Sequence, residues 1–500
     1  MFEAAELGRK LDKKTYKNRI NSLRAELLQA QFALANSNRP VIILVGGADN
    51  SSKGELVNKL NEWLDTRGLE VHAFGQKTDE ESERPRFWRY WRCLPAKGRI
   101  GIFSSSWYTG TIYQRAFGTI SKSKFDRHMR RINSLETMLV KDGALILKFW
   151  LHMSKSHQKA QFKALEKDPD SRWIVSPLDK KLHKNYDDHI KAAERAIRLT
   201  DNATAPWLII EAEDEAYRDM TVGETVLAAL QQASSKATTK EEITSLAIKE
   251  PSAEQKSILN ELNLDQALSK PDYEAQLQRL QKKLTRLSWE AYHQKVTTVL
   301  VFEGWDASGK GGAIRRIMQA VDARISRVIS IAAPTDEERA HHYLWRFWRH
   351  IPKAGKVIIY DRSWYGRVLV ERVEGFANDD EWRRAYLEIN DFEEQLCDHG
   401  LNLQKFWLHI DKDEQLDRFN ERQEIEYKQH KITDEDWRNR ERWDDYVGAV
   451  NDMVVKTSTD YAPWTLVPAN DKKSARIKVL QTVCDSLEQA LERRKKENKG

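Results

Sequence analysis

The hydrophobic positions along the chain describe the same series of elements twice. In the second half, an apolar run near 297–302 is followed by a glycine-rich turn and an amphipathic helical pattern. The same order occurs 257 residues earlier, as the pair Lys53 and Lys310 shows (310 − 53 = 257). Helical patterns then alternate with further apolar segments of strand length, near 326–332, 356–360, 402–409 and 464–468. Such alternation predicts an α/β fold with a parallel sheet and crossover helices.

The repeat is visible in the letters of the sequence as well as in the pattern. FWRYWRCLPAKG in the first half corresponds to FWRHIPKAG in the second, and LKFWLHM corresponds to QKFWLHI. Leucines at helical spacing predict an amphipathic helix before each sheet, beginning near Tyr16 and near Tyr273. We therefore predict two tandem domains, at 1–230 and 266–500. The polar segment 231–265 between them is predicted to be a connector.

The glycine-rich turn of the second half has the context of a phosphate-binding loop. Its sequence, GWDASGKGG, lies between a hydrophobic strand and an amphipathic helix. Glycines let backbone N–H groups approach phosphate oxygens, a lysine adds positive charge, and the helix dipole favours an anion. A tight turn between strand and helix is the alternative use of these glycines. The predicted phosphate contacts of the loop are Gly304, Ala307, Ser308, Gly309, Lys310, Gly311 and Gly312.

Two carboxylates of the second half are candidate ligands for a divalent metal ion. Gly311 stands where most loops of this kind carry a Ser or Thr hydroxyl for Mg²⁺, so another residue must hold the metal. Asp306 lies inside the loop, and Asp361 ends the apolar segment at 356–360. Mg²⁺ takes carboxylates, waters and phosphate oxygens as ligands. We predict Mg²⁺ at Asp306 and Asp361, with Mn²⁺ as the alternative, and a phosphate contact from Arg362.

The first half keeps the fold pattern and loses much of this chemistry. Ser104 and Ser105 stand where the second half has Asp361 and Arg362, although Lys53 is retained. We predict that the first domain is degenerate and inactive and that the second domain is catalytic. Weak ligand binding by the first domain is the alternative.

Six motifs of the second half together resemble the polyphosphate kinase 2 family: GWDASGKGGAIRR, APTDEE, LWRFWRHIPKAGK, YDRSWYGRVLVERVEGF, KFWLHIDKDEQLDRF and APWTLVPANDKKSAR. Eroded versions occur in the first half, and the tandem arrangement resembles the two-domain branch of that family. The resemblance implies a three-layer α/β/α sandwich of the thymidylate-kinase-like P-loop type in each domain. It also implies a helical lid over the active site.

The resemblance further implies direct in-line transfer of a terminal phosphate from inorganic polyphosphate to AMP, which gives ADP. Asp306, Lys310, Asp361 and Arg362 would form the catalytic set. The lid, within the sequence from RFNERQEIEYKQHK to RERWDDY, would bring further cations to the polyanion, namely Arg418, Arg422, Lys428 and Lys431. Apart from the resemblance, the clustering of basic residues around the end of the strand at Asp361 predicts a positive channel that includes Arg367 and Arg372.

Other activities remain open at this point. A P-loop does not distinguish a nucleoside triphosphate from uncapped polyphosphate, so an ATP-dependent nucleotide kinase is one alternative. A polyphosphate kinase that phosphorylates nucleoside diphosphates is the second, and a polyphosphate-binding scaffold without activity is the third. Retention of two carboxylates beside the phosphate loop argues against the scaffold, because anion binding alone has no need of them.

Composition limits the partners and the location. Lys and Arg number 82 against 76 Asp and Glu, and the net charge of +6 is too small to indicate nucleic-acid binding. No apolar run approaches the roughly 18 residues that span a bilayer, and the first residues lack the apolar core of a signal peptide. Three scattered cysteines fit a reducing compartment. We predict a cytoplasmic protein that binds neither membranes nor nucleic acid, with a sequence compatible with a homo-oligomer.

Overall fold

The chain folds into two compact units in a computed structural model that describes residues 1–48, 51–235, 257–424 and 434–497. The first unit holds the described residues of 1–77, 89–235 and 335–345, and the second unit holds those of 78–88, 257–334 and 346–497. The placement of 78–88 and 335–345 is a finding that the repeat alone did not indicate. The predicted domain boundaries stay a prediction, because residues 236–256 of the connector lie outside the described residues.

Each unit contains one five-stranded parallel sheet. The strands of the first unit are β1 (Val41–Gly47), β2 (Leu69–Ala73), β3 (Ile100–Ser104), β4 (Leu145–His152) and β5 (Trp207–Glu211). Those of the second are β6 (Thr298–Gly304), β7 (Ser326–Ser330), β8 (Val357–Asp361), β9 (Asn402–His409) and β10 (Trp464–Pro468). The first sheet has the order β2-β3-β1-β4-β5, and the second has the equivalent order β7-β8-β6-β9-β10. All five predicted strands of the second half are confirmed, with boundaries within two residues.

Helices connect the strands and cover the sheets. The helices from the first half of the chain are α1 (Lys13–Ala35), α2 (Ser51–Trp63), α3 (Asp79–Ser82), α4 (Trp88–Trp91), α5 (Thr109–Ala116), α6 (Lys122–Lys141), α7 (Lys155–Lys167), α8 (Pro177–Lys184), α9 (Tyr186–Thr200) and α10 (Glu215–Ser235). Of these, α3 and the first residue of α4 belong to the second unit. The helices from the second half of the chain are α11 (Lys270–His293), α12 (Lys310–Met318), α13 (Asp336–Arg339), α14 (Trp345–Trp348), α15 (Val370–Val373), α16 (Asp379–Asp398), α17 (Lys412–Glu424), α18 (Asp434–Glu441), α19 (Trp443–Thr457) and α20 (Lys472–Glu497). Short 3₁₀ turns lie at Phe2–Ala5, Thr66–Gly68, Arg172–Ile174, Ile258–Glu261 and Trp364–Arg367.

The two amphipathic helices predicted before the sheets are confirmed as α1 and α11. Leu23 and Leu27 of α1 are fully buried in a core that also contains residues of α10 and β1. Leu280 and Leu284 of α11 are equally buried, and α11 packs against α20. Apolar stripes of this kind stabilise a helix mainly through burial against its neighbours.

The strands of each sheet are parallel, so their carboxyl ends meet at one edge. In the second sheet β6 pairs with β8 and with β9, which brings Phe302 beside Asp361 on one side and beside Phe406 on the other. Ligands of open parallel sheets bind outside this edge. The fold therefore confirms the predicted P-loop architecture and directs attention to the loops after β6, β8 and β9. Among the helices of the described residues, none has the length and apolar character that a membrane span requires.

Candidate active site

The loop between β6 and α12 has a backbone shape that glycine makes accessible. Gly304 has a φ of 151°, and a Cβ atom there would lie 2.5 Å from the carbonyl oxygen of Leu408. Gly309 has a φ of 105° and directly precedes α12. Both positions therefore require glycine, and the loop delivers the chain into the first turn of α12, whose N–H groups favour an anion. Ser308 is buried in the loop, while Gly311 and Gly312 lie in that first turn.

Lys310 lies along the inside of this loop. Its Nζ donates hydrogen bonds to the carbonyl oxygens of Gly304, at 2.6 Å, and Trp305, at 3.0 Å. Burial lowers the pKa of the Lys310 ammonium group, and the negative charge of Asp306 opposes that shift. The side chain is thus already directed along the inside of the loop.

The four predicted catalytic side chains of the second unit are brought together at this loop. Arg362 Nη2 lies 3.4 Å from Asp306 Oδ1, which forms an ion pair. Asp361 is the last residue of β8, and its charge acts on the Lys310 ammonium together with that of Asp306. Arg362 itself has a left-handed backbone, with φ of 63°, and its N–H donates to the carbonyl oxygen of Phe302 at 3.0 Å.

The donor set of the site is compatible with a hard divalent cation. Within the residues that the structure describes, no group of three or more His, Cys, Asp or Glu side chains is arranged to hold a metal ion. Asp306 and Asp361 supply two carboxylates, which suits Mg²⁺ because this ion usually keeps waters and phosphate oxygens as its other ligands. Two carboxylates placed beside phosphate repel its oxygens, so the site needs positive charge. Lys310 and Arg362 supply part of that charge. These residues therefore fit Mg²⁺, which they would hold through their carboxylates.

Glu303 is a buried carboxylate that the sequence interpretation missed. It is the residue of β6 before Gly304, and Ser363 Oγ donates a 2.8 Å hydrogen bond to its Oε1. Burial raises the pKa of Glu303, although the Ser363 hydrogen bond opposes that shift. A comparison of the two copies could have found it, because Gly46 stands at the equivalent position of the first copy (303 − 257 = 46) and the carboxylate occurs only in the second.

Arg418 lies beneath the loop and is almost completely buried. Its guanidinium donates to the carbonyl oxygens of Ala307, at 2.9 Å, and of Ala469 and Asn470, at 2.7 and 2.8 Å, and forms an ion pair with Glu414 at 2.5 Å. These contacts favour a role in holding the loop in place. Direct contact with polyphosphate stays a prediction for this residue.

The remaining predicted cations differ in their surroundings. Arg367 forms an ion pair with Glu371 at 3.1 Å, and Arg372 forms one with Asp452 at 2.7 Å. Arg422 lies on α17 and is half-buried. Phosphate contacts by these three residues stay predictions. Lys428 and Lys431 of the predicted lid lie outside the described residues.

A second residue missed in the sequence, Arg476 of α20, lies against the first turn of α12. Its Nη2 is 3.2 Å from the place that a Cβ atom at Gly312 would take. The first unit fills the equivalent region differently. Glu55 and Asp219 stand at the positions of Gly312 and Arg476, and Arg218 forms 2.8 Å ion pairs with both. The second unit therefore keeps a guanidinium beside its phosphate loop where the first unit has a closed ion-pair cluster.

Aromatic residues connect the phosphate loop to the helices of the predicted lid. The Trp305 ring stacks on the Trp443 ring of α19, with centroids 3.8 Å apart and planes at 8°. Trp305 Nε1 donates to His409 Nδ1 at 3.1 Å, and burial lowers the pKa of His409 to about 4. A small cavity of about 70 Å³ lies beside this cluster, lined among others by Asp306, Arg362, Trp305 and Asn439.

A buried ion pair anchors the turn that follows Asp361. Trp364 Nε1 and Tyr365 Oη donate to Glu393 Oε1 at 2.9 and 2.7 Å, and Lys405 Nζ donates to Glu393 Oε2 at 2.7 Å. Burial raises the pKa of Glu393 and lowers that of Lys405. The first unit has the same cluster, formed by Trp107, Tyr108, Glu136 and Lys148. The cluster therefore belongs to the scaffold that both units share.

The first unit retains the shape of the turn after β3 without its charges. Ser104 and Ser105 occupy the positions of Asp361 and Arg362, and Ser105 has a φ of 63°. Lys53 is buried in α2. Asp49, the counterpart of Asp306, lies outside the described residues.

Comparison with known proteins gives a consistent result. The family model described as Polyphosphate kinase 2 matches residues 10–238 and 267–495 of this chain. The chain is 50% identical to a polyphosphate:AMP phosphotransferase of Pseudomonas aeruginosa, over 99% of this chain and 100% of that protein. It is 48% identical to a polyphosphate:AMP phosphotransferase of Pseudomonas syringae pv. tomato, over 99% and 100%. A crystal structure described as polyphosphate kinase 2 from Pseudomonas aeruginosa matches with a TM-score of 0.89 and 48% identity, over 98% of this chain and 99% of that chain.

Proposed function

The chain belongs to the polyphosphate kinase 2 family, and from that premise we propose that it transfers a phosphate from inorganic polyphosphate to AMP. Full-length similarity to two polyphosphate:AMP phosphotransferases supports AMP as the acceptor. The observation that carries the proposal is the convergence of Asp306, Lys310, Asp361 and Arg362 at the loop after β6. Two carboxylates, a lysine and an arginine at a P-loop are the groups that phosphoryl transfer requires.

We infer that only the second unit catalyses the reaction. The serines at 104 and 105 can neither hold a cation as carboxylates do nor neutralise phosphate as an arginine does. The first unit retains the sheet and the buried Glu136–Lys148 pair, so it keeps the scaffold without the charges of the site.

The reaction is a direct displacement in which the phosphate groups change partners. An oxygen of the AMP α-phosphate attacks the terminal phosphorus of polyphosphate, and the bond from that phosphorus to the bridging oxygen of the shortened chain breaks. Lys310, Arg362 and the first N–H groups of α12 bind and orient the phosphate oxygens, and they balance the charge that develops on them. Asp306 and Asp361 would hold Mg²⁺, which supplies further charge neutralisation when bound. No residue needs to accept the phosphate covalently.

Arg476 extends the set of phosphate contacts beyond the loop. Its guanidinium lies against Gly312, in the first turn of the helix that begins at the loop. A cation beside the site that holds the terminal phosphate adds affinity for long chains, and Arg476 is placed to act in this way. The first unit has acidic residues at both equivalent positions, Glu55 and Asp219, which is consistent with a polyanion channel in the second unit alone.

The proposal is tested by measuring ADP formed from AMP and long-chain polyphosphate with Mg²⁺, beside a parallel reaction with ATP as the only donor. ADP formation with polyphosphate supports the proposal. Turnover with ATP alone would instead indicate a nucleotide kinase, and replacement of AMP by ADP or GDP tests a preference for nucleoside diphosphates. The absence of turnover with every donor would indicate a binding protein. A location in the cytoplasm also stays a proposal.

A further inference from the structure

We propose that Asn439 of α18 is a positioning residue that orients the carboxylate of Asp306, and that Tyr446 orients Asn439 in turn. The inference rests on the proposed function for the reaction that these residues serve. The hydrogen bonds themselves are independent of the identity of the substrates, so they can be tested without turnover.

The contacts form a short chain from the base of the lid to the phosphate loop. Tyr446 Oη donates to Asn439 Oδ1 at 3.0 Å, and Asn439 Nδ2 donates to Asp306 Oδ2 at 2.8 Å. The ionised carboxylate only accepts, so the amide must present its NH₂ group to Asp306 and its oxygen to Tyr446, whose hydroxyl donates to it. The reverse orientation would place the amide oxygen against an oxygen of Asp306 and leave that carboxylate oxygen without its amide donor.

Asp306 is thereby held from two sides. Arg362 Nη2 lies 3.4 Å from Oδ1, and the Asn439 amide binds Oδ2. Two donors on different oxygens define the plane of a carboxylate, while each oxygen keeps a second lone pair for another ligand. A neutral amide does this without reducing the negative charge that a cation requires. An arginine or lysine at 439 would orient the carboxylate and also compete for its charge.

The contact connects the position of the lid helices to the chemistry of the loop. Asn439 lies on α18, and α19 begins at Trp443. The Trp443 ring stacks on the ring of Trp305, which is the residue before Asp306. The stacked rings and the Asn439 hydrogen bond therefore bind the same stretch of the loop. With the helices in the positions that the structure shows, both oxygens of the carboxylate have a donor.

The first unit shows that the fold does not require this chain of hydrogen bonds. Leu182 stands at the position of Asn439 (439 − 257 = 182) and is buried, and His189 stands at the position of Tyr446. The unit that lacks the Asp361 and Arg362 charges thus also lacks the amide and the hydroxyl. A leucine at 439 is therefore compatible with this scaffold, and Asn439→Leu is expected to fold.

The first part of the test separates positioning from structure. Asn439→Leu and Tyr446→Phe are compared with the wild-type chain for kcat, for the KM values of AMP and polyphosphate, and for melting temperature. We expect kcat to fall about 10- to 100-fold for Asn439→Leu and about 3- to 10-fold for Tyr446→Phe, because misplaced catalytic groups cost rates of this order. Both KM values should stay within about twofold of wild type, since these residues do not bind the substrates. The double variant should be no slower than Asn439→Leu alone, because the hydroxyl acts through the amide.

The second part tests the contact in the absence of substrates. Asn439→Asp is isosteric and adds a third carboxylate to those of Asp306 and Asp361. It should therefore raise the affinity of the free protein for Mn²⁺ by about tenfold, measured by electron paramagnetic resonance titration. Asn439→Leu should leave that affinity unchanged or lower. Asn390→Asp is the matched control for added charge, because Asn390 of α16 donates to the carbonyl oxygen of Lys456 and lies away from the phosphate loop.

Wild-type kcat in Asn439→Leu would overturn the positioning role. An unchanged Mn²⁺ affinity in Asn439→Asp, or an equal rise in Asn390→Asp, would overturn the contact. If Asn439→Leu melts early, Tyr446→Phe still decides the first question, since it removes a single oxygen atom. If the wild-type protein forms no ADP, the proposed function fails, while the Mn²⁺ titrations still decide whether Asn439 touches Asp306.

Discussion

Replacement of Lys310 by methionine tests the division of labour between the two units. Methionine has a similar length and no charge, so the substitution removes the ammonium group and keeps most of the packing. Lys310 Nζ donates to two loop carbonyl oxygens, and the side chain is partly buried in the loop. Loss of one preorganised donor in such a site costs about 3–4 kcal/mol of transition-state stabilisation. That energy corresponds to a loss of roughly 10²- to 10³-fold in kcat.

The matched control is Lys53→Met, which makes the same change at the equivalent position of the first unit. The assay is steady-state ADP formation from AMP and polyphosphate at saturating Mg²⁺, with melting temperatures to confirm folding. We expect Lys310→Met to melt within a few degrees of wild type, because the buried charge that it removes is costly to desolvate. A loss of less than about tenfold for Lys310→Met would refute the catalytic role assigned to Lys310. An equal loss for Lys53→Met would refute the assignment of catalysis to the second unit alone.

Three further outcomes are expected. Arg476→Gln should raise the KM for long-chain polyphosphate about tenfold in initial-rate kinetics, since it removes a charge beside the donor chain. The KM for AMP should stay unchanged, and a comparable rise in it would contradict this placement. Glu393→Gln should lower the free energy of unfolding in urea by about 3–5 kcal/mol, because it leaves the Lys405 ammonium buried without a counter-charge, and a loss under about 1 kcal/mol would show that the pair is dispensable. The pKa of His409 is about 4 in the fold against 6.5 as its ordinary value, so its protonation favours the unfolded chain as the pH falls below 6.5, and stability is lost down to about pH 4. Relative to His409→Gln, the wild-type chain should lose about 2 kcal/mol of unfolding free energy between pH 7 and pH 5, at about 1.4 kcal/mol per pH unit. Urea unfolding at the two pH values measures this loss, and an equal change of unfolding free energy in both proteins would refute it.

The strands were predictable because hydrophobic runs, loop glycines and the repeat all indicated the same elements. The same reasoning located Asp306, Lys310, Asp361 and Arg362, since each lies in or directly after a recognisable strand or loop. Their convergence follows from parallel strands that end at one edge. The contact of Asp306 with Asn439 was not predictable, because it joins residues 133 positions apart through the docking of a helix.

A position-by-position comparison of the two copies would have identified some of the site residues that the sequence analysis did not predict. Glu303 corresponds to Gly46, and Asn439 corresponds to Leu182, so both gain a polar group only in the second copy. Arg418 illustrates the opposite difficulty. The family resemblance implied a polyanion contact for Arg418, which stays a prediction, and the structure directs its guanidinium to backbone carbonyl oxygens under the loop. Charge alone does not determine which way a helical side chain faces, because packing decides that orientation.

Ser105 and Arg362 have the same φ of 63°, although only one of them carries a charge. A left-handed residue other than glycine costs about 1–2 kcal/mol, so both turns carry the same backbone strain whether or not the residue is charged. Serine and arginine both adopt this conformation, whereas proline cannot and a β-branched residue would do so only at a higher cost. The first unit thus keeps the backbone shape of this turn without its charged side chain. An attempt to evolve a second active centre there would begin from a turn that already has the required shape.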